Sequence, residues 1–364
     1  MPAQTNNNNS SSSSSSSNGT RANTATTTTM KAMAFDYNTS KFASVDISRP
    51  TMESDEVLIK VQYAAIDSTG EAVMRKEMIR HFVHAKTKPF VIGWHFGGRV
   101  VDAGKSVDDL IIGDQVWGFF EYTPETKQGS FAEYIAVKAT QCAKKPDSVD
   151  LATATAASTE CITALQAIRD DGGLLQERRS PSSPSSLSNQ ALPCVLVLGA
   201  GGAVGSVAVQ IAKRLGAHVT AVCSTKDVKR VESLGADAVI DRKKTKNILG
   251  SKSSKYDVIF DTPSMYFAPK CMRHLKNKGA YVATLPSVGL FMGKFVSIFN
   301  GKSSMFIECK SRRDDLELIG AMLKDGMCVD ICSTFKIKDI NRAIVKQADR
   351  NKIGRVVIEV EGGW

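Results

Sequence analysis

Residues 195–205 read Val-Leu-Val-Leu-Gly-Ala-Gly-Gly-Ala-Val-Gly. An aliphatic run of strand character passes directly into Gly199, Gly202 and Gly205. A helical pattern opens at once, with Val204, Val207, Ala208, Ile211 and Leu215 sharing one face. Few folds use that succession. Glycines let the backbone turn sharply and approach a ligand. The helix N-terminus offers unpaired N–H groups and a partial positive charge, which suit a pyrophosphate. Gly199, Gly201, Gly202, Ala203, Val204 and Gly205 are the candidate cradle. An ordinary tight strand–helix turn, or the Gly-rich first turn of a methyltransferase, would carry similar residues. A second strand, His218–Cys223, follows at the spacing a dinucleotide fold needs.

The tip of that second strand bears on which dinucleotide is held. An NAD site places Asp or Glu there for the ribose hydroxyls. This chain places Ser224, Thr225 and Lys226, and Arg242 follows the next strand. Hydroxyls and fixed cations suit the additional phosphate of NADP(H). The same cations also read as solvated charges on a helix face.

The remaining sequence divides around this unit. Its 364 residues are enough for two domains, and 42% hydrophobic content is enough for real cores. Residues 30–140 alternate short β-rich runs with turns, and Leu151 to Ile168 reads as an Ala-rich helix. Residues 172–193 are rich in Ser and Pro and read as a surface loop. Beyond 194, short apolar strands alternate with helices, the rhythm of a parallel sheet covered on both faces. Residues 1–29, built from Asn, Ser and Thr runs, have nothing to bury and are expected to be disordered. They lack the apolar core of a secretory signal, and an organelle address is weakly encoded. No apolar run approaches the ~18 residues of a membrane span.

Eight cysteines are scattered singly and read as free thiols in a reducing compartment. The net charge is +10, and residues 242–255 hold six Lys or Arg and no acid. That run could bind RNA, but it lacks interleaved aromatics.

Several further segments carry a family resemblance: M-K-A-M-A-F-D-Y at 30–37, E-V-L-I-K-V-Q-Y-A-A at 56–65, G-D-Q-V-W-G at 113–118, G-S-F-A-E-Y-I-A-V at 129–137 and L-G-A-D-A-V-I-D at 234–241. With the Gly-rich turn, they resemble the medium-chain dehydrogenases/reductases of the zinc-free quinone oxidoreductase branch. H-V-T-A-V-C-S at 218–224 and G-W-H-F-G-G-R-V-V at 93–101 resemble the reticulon-interacting oxidoreductases. The resemblance implies an α/β protein. A GroES-like β-rich catalytic domain, residues 30–165 and 300–364, would be interrupted by a Rossmann doubly wound parallel-sheet domain at 166–299.

The resemblance also implies NADPH-dependent hydride transfer to a quinone or an α,β-unsaturated carbonyl, a small electrophile. A homodimer is implied, with no membrane span, and nucleic acid is not expected as a partner. Cytoplasmic placement is expected, with mitochondrial placement as the alternative. The rival reading is a catalytically weak protein on a reductase scaffold that senses NADPH or binds RNA.

The departures from the family pattern locate the catalytic candidates. Zinc members place Cys, His-Glu and Cys where this chain has Asp67, Trp94-His95 and Thr159, so no catalytic metal is expected. Zinc-free members carry V-N-P-x-D where this chain reads I-D-S-T-G at 66–70. Their Tyr after the third strand is Arg242 here, and their D-N-V-G-G is D-T-P-S at 261–264. Asp67 and His95 are the titratable candidates for supplying a proton; the alternatives are a turn carboxylate and a packing histidine. Tyr122, Phe291 and Phe295 are candidate pocket walls, or else core or subunit-interface aromatics.

Overall fold

The computed structural model describes residues 29–174, 191–251 and 255–364. The Asn/Ser/Thr tail, apart from Thr29, and most of the Ser/Pro-rich stretch lie outside the described residues.

The first unit is β-rich. The hairpin β1 (Thr29–Asp36) and β2 (Lys41–Ser48) is antiparallel. Next come β3 (Glu56–Ile66), β4 (His95–Ala103), β5 (Gln115–Phe119), β6 (Tyr134–Lys138) and β7 (Cys142–Lys144). Two short helices, α1 (Ser68–Arg75) and α2 (Glu77–Val83), interrupt them. Asp67 caps α1, its Oδ1 accepting from the Gly70 N–H at 2.6 Å. The core of this unit gathers Ile59, Trp94, Phe96, Phe131 and Ile135.

Helix α3 (Leu151–Gln166) joins the two units. It is almost wholly buried, and its Ala, Ser, Thr and Cys side chains are small enough for two-sided packing. One side meets β3, β4 and β5; another meets α4 (Ala203–Arg214). Gly97 on β4 permits the approach: a Cβ there would lie 2.1 Å from Thr155 Oγ1.

The second unit is a six-stranded, wholly parallel sheet. Its strands are β8 (Cys194–Leu198), β9 (His218–Cys223), β10 (Ala238–Asp241), β11 (Tyr256–Asp261), β12 (Leu275–Ala283) and β13 (Ser303–Phe306). Helices α5 (Val228–Ser233), α6 (Ala268–Met272) and α7 (Val288–Ser297) lie between strands. The spatial order is β10-β9-β8-β11-β12-β13, the doubly wound order, with its direction of winding reversing beside β8.

The chain then runs through α8 (Arg313–Lys324), β14 (Ile331–Lys336), α9 (Ile340–Gln347) and β15 (Arg355–Glu359) back to the first sheet. That sheet is ordered β14-β15-β3-β4-β5-β7, with β6 also paired to β3.

The two-unit α/β architecture matches the sequence reading. The boundary expected at 300 is corrected: β13 pairs with β12, so the return to the first unit begins after Phe306. Four short β13 residues give no alternation from which a strand can be read. All eight cysteines are free; Cys142, Cys161, Cys223 and Cys271 are buried, whereas Cys328 is exposed.

Candidate active site

The dinucleotide candidates converge at the C-terminal ends of β8, β9 and β10. The Gly199 and Ala200 N–H groups both donate to the Val222 carbonyl, at 3.0 and 2.9 Å, which folds the glycine turn against β9. Gly202 is the N-cap of α4, and no side chain caps that end. Ala203, Val204 and Gly205 form its first turn. Gly205 supplies close packing, since a Cβ there would meet the Gly199 carbonyl oxygen at 2.2 Å. Gly202 has an extended backbone, and a Cβ there would meet only that same oxygen, at 3.4 Å. The free helix end and the open space beside Gly202 therefore fit a pyrophosphate.

The β9 tip is more intricate than its sequence suggested. Residues 223 and 241 are register partners in β9 and β10, which brings Arg242 beside Ser224. Lys226 and Arg242 are both exposed. Ser224 Oγ, however, donates to Asp227 Oδ2 at 2.5 Å, so this hydroxyl is already committed. Asp227 is buried beneath Gly201. Thr225 similarly hydrogen-bonds Asp241. The cations, not the hydroxyls, remain to meet a phosphate. Asp227 was missed because it lies past the strand tip, although the Ser-x-x-Asp spacing signals such a contact.

Asp67 and His95 come together in a buried polar cluster at the ends of β3 and β4. His95 Nε2 lies 3.0 Å from Asp67 Oδ2, and Thr159 Oγ1 lies 3.1 Å from His95 Nδ1. Tyr122 donates to the same Asp67 oxygen. Assigning the imidazole proton to Nε2 satisfies these partners: His95 donates to Asp67 and accepts from Thr159. Ser158 Oγ donates to the Thr155 carbonyl at 2.9 Å.

Two charged residues complete the cluster. Arg355, at the start of β15, donates to the Ile66 carbonyl at 3.0 Å, and its Nη1 lies 3.2 Å from His95 Nε2. It also forms an ion pair with Glu160 of α3. Neither was found from sequence, because the Arg355–His95 contact spans 260 positions. A signal was present: an arginine opening an apolar strand and a glutamate inside an Ala/Thr helix each need a buried partner.

Burial alone would raise the Asp67 carboxyl. The His95 hydrogen bond, the charge of Arg355 and the Tyr122 hydroxyl outweigh it and hold Asp67 well below the usual carboxylate range. Burial and then Arg355 push His95 below its ordinary value, against the pull of Asp67. Burial and the neighbouring carboxylate push Tyr122 far up. The resting cluster is therefore carboxylate, neutral imidazole, phenol and guanidinium.

The signs for Asp67 and His95 agree. Each binds a proton more weakly folded than unfolded, so each contributes stability above its unfolded value that is lost as pH falls. Stability is expected to decline from about pH 6.5 downward as His95 contributes, and again below about pH 4 through Asp67. Urea unfolding across pH measures this. In His95→Gln the upper decline should shrink, and a wild-type curve flat from neutrality to pH 5 contradicts the assignment.

Beside Asp67, Ile66, Gly70, Met74 and Trp94 line a cavity of about 10 Å³, room for no more than one water. A wider groove of about 750 Å³, lined in part by Phe35, Phe42 and Ile344, lies between the hairpin and α9, away from the glycine turn. Phe291 and Phe295 are not gathered at Asp67; they stand exposed on α7.

The sequence matches two families: the alcohol dehydrogenase GroES-like domain over residues 53–147 and the zinc-binding dehydrogenases over 203–309. It is 30% identical to the bovine (Bos taurus) mitochondrial NAD(P)H oxidoreductase RTN4IP1, covering 85% of this chain and 79% of the relative. The chain belongs to the quinone oxidoreductase branch of the medium-chain dehydrogenases/reductases.

A second member of this family, the chloroplastic NADPH-dependent alkenal/one oxidoreductase of Arabidopsis thaliana, is 33% identical over 75% of this chain and 67% of its own length. The quinone oxidoreductase structure from Coxiella burnetii superposes with a TM-score of 0.73. It covers 92% of this chain and 100% of that one at 20% identity, a likeness of fold.

The zinc-binding members of this family pose a test of the Asp67 cluster. The three positions expected from sequence, Asp67, His95 and Thr159, do meet in space. Their donors are a carboxylate, an imidazole already bonded to it and a hydroxyl, with a guanidinium 3.2 Å from the imidazole nitrogen. Among the described residues, no three His, Cys, Asp or Glu side chains form a metal-binding group. A dication would sit against the fixed charge of Arg355, and the set does not fit catalytic zinc.

Proposed function

We propose that this enzyme reduces a quinone or an α,β-unsaturated carbonyl with NADPH, by hydride transfer and without zinc. The observation that carries the reading is the pairing of an open, uncapped glycine turn with a cationic Lys226/Arg242 rim. The names of the relatives support it, since they include an NADPH-dependent alkenal/one oxidoreductase and quinone oxidoreductases. The mitochondrial relatives support the mitochondrial alternative for compartment.

In this reading Gly199 to Gly205 hold the pyrophosphate, and Lys226 and Arg242 hold the adenosine phosphate. When bound, the reduced nicotinamide supplies the hydride. A conjugated acceptor spreads the incoming charge onto oxygen, so no metal is needed to stabilise it. Asp67 is ionised and His95 is neutral and fully buried, so neither presents a proton to substrate. They act instead as a fixed foot: His95 orients Asp67, and Asp67 orients the Tyr122 hydroxyl. Water supplies the proton.

Titration with both nucleotides and steady-state assays test this. NADPH should bind about tenfold more tightly than NADH or better, the worth of one charge-assisted phosphate contact. Lys226→Ala and Arg242→Ala should each erode that preference. An ortho-quinone or an alkenal should be turned over at a rate indifferent to exhaustive chelation. Equal nucleotide affinities, or turnover abolished by chelation and restored by zinc, would overturn the proposal.

A further inference from the structure

A turn built from glycines has little stiffness of its own, and its carbonyls need donors just as its N–H groups need a ligand. The Gly201 carbonyl is held by a side chain: Arg230 of α5 donates to it from Nη2 at 2.8 Å. The N–H of the same peptide, on Gly202, donates to the Gly199 carbonyl at 3.0 Å. That peptide is thus fixed at both ends, and it is the one that leads into the N-cap of α4. Gly201 also sits directly on Asp227, since a Cβ there would lie 2.6 Å from Asp227 Oδ2.

The other arm of the guanidinium reaches out of this unit. Arg230 Nη1 forms an ion pair with Asp330 Oδ2 at 2.6 Å. Asp330 lies between α8 and β14, on the segment that returns to the first sheet. Its backbone carbonyl accepts the Arg355 N–H at 2.9 Å. Gly354, at φ +83°, is pressed against it, and a Cβ there would lie 2.1 Å from that carbonyl oxygen. Asp330 is therefore gripped by Arg230 through its side chain and by the start of β15 through its backbone. The Arg355 guanidinium continues into the Asp67 cluster. Because Asp330 neutralises Arg230, this arginine acts by its geometry and not as a counter-charge for the pyrophosphate.

Resting on the reading of 199–205 as the NADPH turn, we propose that Arg230 is a positioning residue with two arms. One arm orients the peptide that presents the free end of α4 to the pyrophosphate. The other sets that turn in register with β15, and so with the Asp67 cluster. The planar fork of an arginine suits two partners at once, which the single ammonium of a lysine does not.

Nucleotide titration tests the first arm without turnover. The probes are NADPH, which carries the pyrophosphate, and adenosine 2′-monophosphate, which carries only the phosphate assigned to Lys226 and Arg242. Arg230→Met keeps the aliphatic stem, and the freed Asp330 side chain, 41% exposed, can hydrate, so the fold should hold. This variant should bind NADPH about tenfold more weakly, the worth of one charge-assisted hydrogen bond, and adenosine 2′-monophosphate as the wild type does. Asp330→Ala releases the second arm alone. It should keep NADPH affinity within about twofold, and with an ortho-quinone its kcat should fall about tenfold at unchanged KM. Wild-type NADPH affinity in Arg230→Met, or equal loss of both ligands, would overturn the inference while leaving the turn as the cofactor site. So would a wild-type kcat in Asp330→Ala. A wild-type chain that binds no NADPH would instead refute the proposed function.

Discussion

Arg355→Leu is expected to cost about 3–5 kcal/mol of stability, the usual consequence of removing one partner from a buried charge set. For a chain of this size that lowers the melting temperature by on the order of 10 °C. The reason lies in what remains. Glu160 is 2% exposed and Asp67 is 6% exposed. Glu160 Oε2 meets no hydrogen-bond donor among the described residues, so Arg355 is its compensation. The Ile66 carbonyl would also lose the guanidinium as a donor. The double variant Glu160→Gln/Arg355→Met should recover part of the loss, because the orphaned charge is removed with its partner. Calorimetry decides the matter: a change below about 1 kcal/mol would mean that the network does not hold α3 to β15.

Gly202→Val and Gly205→Val should fail in opposite ways. At Gly202 the backbone is extended and there is room for a Cβ, so the fold should keep its melting temperature. Its branched side chain would occupy the space above the free end of α4. NADPH affinity should fall roughly a hundredfold or more, because the pyrophosphate loses its helix-end contacts. At Gly205 the added carbon collides with the Gly199 carbonyl, and about 3 kcal/mol of stability should be lost through overpacking. Nucleotide titration beside thermal unfolding separates the two. Wild-type affinity in a folded Gly202→Val variant would remove the cofactor from this turn.

The contrast between these glycines shows what the chain discloses by itself. The turn at 199–205 is legible because strand, glycines and helix are neighbours in sequence, and their spacing is the geometry. That the strands run parallel follows from the same local rhythm, whereas their order is set by the crossovers of the folded chain. The Asp67 cluster is legible only in part. Asp67 and His95 stand out by comparison with a family pattern, whereas Arg355 and Glu160 acquire meaning only when β15 returns to the first sheet. The expectation that Asp67 or His95 donates a proton rests on residue type, which does not disclose the protonation state of a buried group. Burial and the charge of Arg355, both tertiary effects, set that state. Phe291 and Phe295 stand out in the sequence as aromatics, but whether they face a pocket, the core or the surface is set by the seating of α7, which leaves both exposed.

The position of β15 has a consequence for biosynthesis. This strand lies between β14 and β3, in the interior of its sheet, and it pairs Val356 with Ile66 across nearly the whole chain. All six strands of the parallel sheet leave the ribosome earlier, so that domain can close while its companion still lacks the strand that joins β14 to β3. Until residues 355–359 emerge, β3 and β14 present unsatisfied edges, and Asp67 and Glu160 wait without their cation. A nascent chain stalled short of Arg355 would hold a finished nucleotide-binding half beside an open, aggregation-prone sheet, and it is at this stage that a chaperone would be needed.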